Sequence, residues 1–270
     1  MFIKRNSTEG EVGMRVAIVT GASSGMGKEF SREIAHFYKH LDEIWIVARR
    51  AERLKVLADR IEKRTGTLVR VFDGDLAKDS VYEKMKEELL RRRPDLRILV
   101  NCAGFGKTGR VQEIDAGEQL GIIDVNCRAL TRMTLLCLPY LSGGSRIINA
   151  ASAAAFAPQP GFAVYAASKA YVKSFSYALG EEMKERGIYV TAVCPGPVDT
   201  EFFLRSGELP GEGRQLCRSD VKPVVRKALL DSAAKRQISV YGAPMKAARI
   251  FAKLLPDAAV AAVMKQVNHI

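Results

Sequence analysis

Residues 15–27 constrain the fold more than any other stretch of the chain. Arg15-Val-Ala-Ile-Val-Thr20 is a short apolar, β-branched run with no charge after its first residue, as in a strand buried on both faces. Gly21-Ala-Ser-Ser-Gly25-Met-Gly27 follows with no spacer and opens a helical pattern that runs to about Tyr38. A strand covered on both faces needs helices above and below it, and therefore a parallel sheet joined by crossovers. The glycines let the backbone turn tightly and approach a ligand. The helix behind them offers unpaired N–H groups to an anion such as a pyrophosphate, with Ser23 and Ser24 as further donors. The spacing departs from Gly-x-Gly-x-x-Gly, and a glycine-rich turn by itself also suits an ordinary strand–helix loop.

The alternation continues. Apolar runs at Glu43–Ala48, Leu68–Phe72, Ile98–Asn101, Arg146–Ala150, Tyr189–Val193 and Ile238–Tyr241 read as further strands. Segments between them read as helices, among them one from about Gly117 to Leu141 and another over Val221–Ala234. The pattern predicts a single-domain α/β fold, a Rossmann-type doubly wound parallel sheet of about seven strands with helices on both faces, plus a C-terminal helical extension. Residues 14–242 are the expected dinucleotide-binding and catalytic domain, and 243–270 its amphipathic extension. Residues 1–13 are polar and unpatterned and read as a flexible leader, with Met14 as an alternative start. No linker, repeat or low-complexity segment divides the 270 residues.

The end of the second strand bears on the ligand. An acidic residue there would accept from the ribose hydroxyls of NAD and repel a 2′-phosphate. This chain has Ala48-Arg49-Arg50 instead. A guanidinium fork pairs well with phosphate, so Arg49 and Arg50 favour NADP(H), the alternative being two solvated arginines at a helix start. A formal charge of +12 also suits an anionic partner. Nucleic acid is not expected, because the cations are spread through mixed-charge helices and the densest run, Arg91-Arg92-Arg93, ends one of them, where it complements the helix dipole.

On the helix that begins after Pro158 and Pro160, Tyr165 and Lys169 lie one turn apart on one face. A free phenol ionises near ~10; a neighbouring ammonium favours the phenolate, and together with a bound cofactor's positive charge it would bring the phenol toward the working range. The spacing alone is weak evidence. Tyr82 and Lys86 repeat it in a charged amphipathic helix, where the pair reads as a solvated face. Context separates the two: Ser152 stands 13 residues before Tyr165, and the same offset from Tyr82 gives Val69. Thr20–Gly27, Asn101-Cys-Ala-Gly104, Asn126, Ser152, Tyr165, Lys169 and Pro195-Gly196 with Thr200 occur in that order. On these residues the chain resembles the short-chain dehydrogenase/reductase family over about residues 14–242, its hydroxysteroid dehydrogenases in particular.

The resemblance implies an NADP(H)-dependent oxidoreductase in which Tyr165 donates the proton and Ser152 hydrogen-bonds the developing oxyanion. Lys169 would lower the tyrosine pKa and bind the nicotinamide ribose, and Asn126 would kink its helix and hold a relay water. Gly21, Ser23, Ser24, Gly25, Met26 and Gly27 would surround the pyrophosphate, and Arg49 and Arg50 the ribose phosphate. Asp75 and Leu76 would meet the adenine, with Asn101, Ala103 and Gly104 along the cleft. Pro195, Val198 and Thr200 would hold the carboxamide. The residues alone leave Asn126 open as a buried structural amide and Pro195-Gly196 as a plain turn. A homodimer or homotetramer is the family expectation, which the apolar runs Ala129–Leu141 and Val172–Leu179 permit.

Phe105-Gly106, Ala153–Ala157 and Phe202-Phe203-Leu204 are apolar, which favours a small hydrophobic ketone or alcohol, such as a steroid or bile acid. Reduction of a 3-oxoacyl thioester is the alternative, with basic surface to dock an acidic carrier, although the family's glycine-rich ending is missing. A catalytically silent NADP(H) sensor is disfavoured because all four tetrad residues are present. Residues 201–218 read as a mobile lid. Pro244–Leu255 is amphipathic with Lys246, Arg249 and Lys253 on one side; it would pack beside the pocket or at a subunit contact, or lie on a membrane surface.

Five cysteines without a Cys-x-x-Cys pair read as reduced core residues, and three histidines remote from the motifs argue against a zinc site or a Ser-His-Asp hydrolase. No metal is expected. With no membrane-length apolar run and no signal-peptide pattern, the expected location is cytoplasmic.

Overall fold

A computed structural model describes residues 13–207 and 218–268. The predicted leader up to residue 12, residues 208–217 of the predicted lid with Cys217, and His269 lie outside the described residues.

Seven parallel strands form one sheet: β1 (Arg15–Thr20), β2 (Glu43–Ala48), β3 (Leu68–Asp73), β4 (Asp95–Asn101), β5 (Leu141–Ala150), β6 (Tyr189–Val193) and β7 (Ile238–Ser239). Their order is β3-β2-β1-β4-β5-β6-β7. The chain winds outward from β1 to β3, then crosses back to lay β4 beside β1, and outside the carboxyl ends of those two strands such sheets bind ligands. Alternate strand residues pack in opposite directions. Val16, Ile18, Trp45, Val47, Leu99 and Ile147 meet α3 (Ser80–Arg92), α5 (Leu130–Cys137) and α6 (Ala163–Glu182). Ala17, Val19, Ile44, Ile46, Val100 and Ile148 meet α1 (Gly25–Phe37), α2 (Ala51–Thr65) and α8 (Val221–Ala233), which lies two helices beyond α6. The fully apolar strands of the sequence are thus explained by a helical layer on each side.

The switch point is closed by backbone contacts. Thr20 Oγ1 accepts from Cys102 N (3.0 Å) and Ala103 N (3.2 Å), and a Cβ on Gly21 would come 2.8 Å from Ala103 Cα. Glycine is required there twice over, since φ at Gly21 is +70°.

Several boundaries differ from expectation. The helix predicted over Gly117–Leu141 is α4 (Ala116–Ile123), a π-helical turn (Asp124–Ala129) and α5, and Leu141 already belongs to β5. Strand β5, expected from Arg146, already pairs Leu141 with Leu96 and resumes at Arg146 opposite Ile98, so Ser142–Ser145 are an irregularity inside a strand. Strand β7 stops at Ser239 rather than Tyr241. Tyr82 is no part of a solvated face: it is 4% exposed, its hydroxyl donates to Leu76 O (2.8 Å), and the Arg132 guanidinium stacks 4.0 Å above its ring. Cys102, Cys127, Cys137 and Cys194 are unpaired, as expected. No described helix is long and apolar enough to cross a membrane.

Candidate active site

The carboxyl ends of the strands open into a cleft of about 1310 Å³, larger than the ~300–1,000 Å³ typical of a single small-molecule site. Its cofactor-sized half begins at the glycine turn. Helix α1 starts behind Ser24, whose hydroxyl makes no capping bond, so the first-turn N–H groups keep no side-chain acceptor. Gly25, with φ +51°, faces Thr200, whose Cβ a methyl at residue 25 would approach to 3.3 Å. Arg50 reaches back from the end of β2: Nε and Nη2 donate to Ser23 Oγ at 3.1 and 3.0 Å, and Nη2 to Ser24 Oγ at 2.7 Å. An open helix N-terminus, a glycine cradle and an arginine fork form a donor set that fits a phosphorylated dinucleotide. Gly21, Ser23, Ser24, Gly25, Met26, Gly27, Arg49, Arg50, Asp75, Leu76, Ala103, Gly104, Pro195, Val198 and Thr200 all line this cleft. Asn101 does not. It ends β4 at 2% exposure with Nδ2 tied to Thr134 Oγ1 (3.0 Å) and Asn149 Oδ1 (2.9 Å), so it braces the cleft floor from behind.

The other half carries Ser152, Tyr165 and Lys169. Ser152 leaves the end of β5 and caps a 3₁₀ turn (Ala153–Phe156), its Oγ accepting from Ala154 N at 3.1 Å. Tyr165 and Lys169 occupy the first two turns of α6 and face the same cleft as Ser152. Tyr165 is 8% exposed, with its ring stacked 4.3 Å from that of Phe162 and 5.3 Å from that of Phe202. Lys169 Nζ donates to Ala150 O at 2.7 Å and sits 5.6 Å from the Tyr165 ring centre. Burial pushes the phenol up to about 12, against a hydrogen bond from Ser152 that favours the phenolate. Burial also brings the Lys169 ammonium down to about 8.

The expected lowering of the phenol by the lysine is therefore reversed among the chain's own groups. Both are desolvated, and the ammonium donates to a backbone carbonyl, 5.6 Å from the centre of the ring.

Asn126 stands in the middle of the π-helical turn, 1% exposed, behind the cleft. Its Nδ2 donates to Phe105 O and Ser168 Oγ, both at 2.9 Å, and its Oδ1 accepts from Phe105 N at 3.0 Å. Both donors are committed to structure, and the remaining oxygen lone pair lies toward Gly104 and Lys169. A Cβ on Gly104 would sit 2.9 Å from that oxygen and 3.2 Å from Lys169 Nζ.

Residues 15–208 match the family model described as short chain dehydrogenase. The chain belongs to the short-chain dehydrogenase family. Among its relatives, 17-beta-hydroxysteroid dehydrogenase type 3 of Mus musculus is 32% identical over 188 residues, 68% of this chain but only 60% of that protein. Sulfoacetaldehyde reductase 2 of Chromohalobacter salexigens is 34% identical over 198 residues, 70% of this chain and 75% of that one. A solved structure of a short-chain dehydrogenase from Sphingobium yanoikuyae in complex with NADPH superposes with a TM-score of 0.74 at 28% identity, covering 89% of this chain and 94% of the other.

In this short-chain dehydrogenase the cleft is bounded by parts that sequence reasoning reached only partly. Helix α7 (Phe202–Ser206) belongs to the predicted lid and is anchored on two sides. At its start Glu201 accepts from Arg50 and Arg53; at its end Ser206 O accepts from Thr108 N (2.8 Å) and Thr108 Oγ1 (2.9 Å). Helices α9 (Ala243–Leu254) and α10 (Asp257–Val267) supply Met245, Ala248, Phe251, Val260 and Met264 to the cleft wall, which favours the pocket-side reading of the C-terminal extension. Asn268 fastens this wall to the loop before α6, donating to Pro160 O at 2.6 Å. Phe162, Arg53 and Glu201 escaped the sequence reading. The aromatic next to the helix start was the one signal for Phe162, and no spacing rule joins Arg53 to a residue 148 positions away.

Proposed function

We propose that this oxidoreductase interconverts a hydrophobic secondary alcohol and its ketone with NADP(H), a steroid being the favoured substrate class. The observation that carries the reading is the pairing of an arginine fork at the end of β2 with an apolar cleft around Ser152 and Tyr165, walled by Phe105, Phe156, Phe162 and Phe202. The bound nicotinamide supplies or accepts the hydride. The remaining work falls to side chains. Ser152 Oγ donates to the carbonyl oxygen as negative charge develops there. Tyr165, kept protonated by burial, holds its hydroxyl proton for that oxygen, which suits reduction. Lys169 brings a buried cation to the same wall, and Asn126 fixes the backbone of Phe105 so that Gly104 can pass close to Lys169. The aromatic faces exclude water from the transfer.

Oxidation of NADPH followed with steroid ketones, 3-oxoacyl thioesters and small aldehydes tests the reading. Turnover is expected with bulky apolar ketones. Preference for a 3-oxoacyl thioester would move the assignment to lipid synthesis, and preference for a charged aldehyde would align the chain with its sulfoacetaldehyde-reducing relative. Tight NADPH binding with no turnover on any of them would favour a sensor. The reading extends to assembly: Leu120, Leu135 and Tyr171 are exposed on α4, α5 and α6, and these helices are proposed to meet a second copy.

A further inference from the structure

The end of β2 already faces an anion of the chain's own. Glu201 Oε2 accepts from Arg50 Nη1 at 2.8 Å, and its two oxygens accept from Arg53 Nη1 at 2.6 and 2.9 Å. The same Arg50 holds the hydroxyls of Ser23 and Ser24 in the glycine turn with its other nitrogens. One guanidinium thus joins the phosphate-binding turn to the segment that carries Thr200 and Phe202. The three side chains are 43%, 50% and 44% exposed for Arg50, Arg53 and Glu201, so water and ligand reach them and the ion pairs are of the weak, displaceable kind.

We propose that Glu201 competes with the 2′-phosphate of NADPH for Arg50 and Arg53 and so narrows the enzyme's margin of preference for NADPH over NADH. The proposal rests on the NADP(H) reading above. A phosphate dianion makes the stronger fork with arginine, but to take it here the phosphate must draw the guanidinium nitrogens from a carboxylate or settle beside that carboxylate, like charge next to like. NADH brings a ribose hydroxyl to the same place. A hydroxyl is a donor, so the carboxylate does not oppose it and the Glu201 clasp need not open. The residue does from the far side of the cleft part of what an acidic residue at the end of β2 does in NAD-binding sheets. The rival account makes the clasp a mere tether for α7; on that account its loss loosens the lid and weakens both nucleotides together.

Dissociation constants for NADPH, NADH and adenosine 2′,5′-bisphosphate, measured on wild type, Glu201→Gln, Glu201→Ala and Arg50→Gln, separate the two accounts. Glu201→Gln should bind NADPH and the bisphosphate about 3- to 10-fold more tightly while NADH moves less than about twofold, in proportion to two exposed ion pairs. Glu201→Ala, checked by its melting temperature, should shift the same way. NADPH affinity unchanged or weakened, or both nucleotides moving in parallel, would overturn the competition. Arg50→Gln reports on the cofactor reading separately: it should abolish the preference for NADPH. If wild type and Arg50→Gln alike ignore the phosphate, the cofactor reading fails and the competition with it.

Discussion

Tyr165 is held between two phenyl rings, and its neighbourhood decides when it can act. With the phenol near 12 and Lys169 near 8, the group that titrates in the working range is the lysine. Its folded value is lowered from 10.5, so Lys169 is charged below about pH 8 and neutral above it. Carbonyl reduction should therefore hold level up to about pH 8 and fall above it with the slope of one proton, read from kcat/KM against pH. Linkage runs the other way for stability: the unfolded chain binds the extra proton between about 8 and 10.5, so this residue's contribution to stability rises with pH across that window. Tyr165→Phe should lower kcat by about 10²- to 10⁴-fold with nucleotide affinity kept; near-normal turnover would remove the phenol from the mechanism. Gly104→Ala would drive a methyl against Asn126 Oδ1 and Lys169 Nζ, and kcat should drop at least about tenfold while the melting temperature falls by several degrees. Ser152, Tyr165 and Lys169 stood out in the sequence because two independent spacings had to agree. The rise that burial alone imposes on the phenol was not legible, because spacing says nothing about how far each group is stripped of water.

At the scale of elements, strands announce themselves and local irregularities do not. The strands β1, β2 and β4 were readable from apolar runs that only a two-sided cover explains. The π-helical turn around Asn126 agrees with the kink that the family resemblance implies there, but the local sequence does not show it, since its cause is tertiary: the amide is claimed by Phe105 and Ser168 from two other segments. The amino ends of the strands hold a similar tertiary device. Glu43, 6% exposed, accepts from Trp45 Nε1 (2.8 Å) and Arg92 Nη1 (2.9 Å) and pairs with Arg70 (3.3 Å), joining β2, β3 and α3. Glu43→Ala leaves the Trp45 indole N–H without its acceptor and Arg70 and Arg92 with Glu88 as their remaining carboxylate, and should lower unfolding free energy by about 1–3 kcal/mol, measured by denaturant titration. Lying at the opposite edge from the cleft, it should leave KM for the nucleotide unchanged.

For the whole molecule, the sequence made plain one sheet, one cleft and a separate C-terminal piece, but not where that piece goes, because an amphipathic helix shows that it has a partner without naming it. If α4, α5 and α6 join two copies, Leu135→Glu should reduce the mass in solution by light scattering; an unchanged mass would leave those helices without a second copy. The extension can be probed in the same way. None of the side chains of α9 is buried and α10 buries only Val260, so Phe251→Ala should move the melting temperature by less than about 4 °C yet shift KM for a bulky ketone several-fold. Ser152, Tyr165 and Lys169 are rooted at the end of β5 and in α6, where most substitutions are costly, whereas the wall opposite them is nearly free of the core. A lineage of such chains can thus redraft what it admits generation after generation while its chemistry is inherited intact.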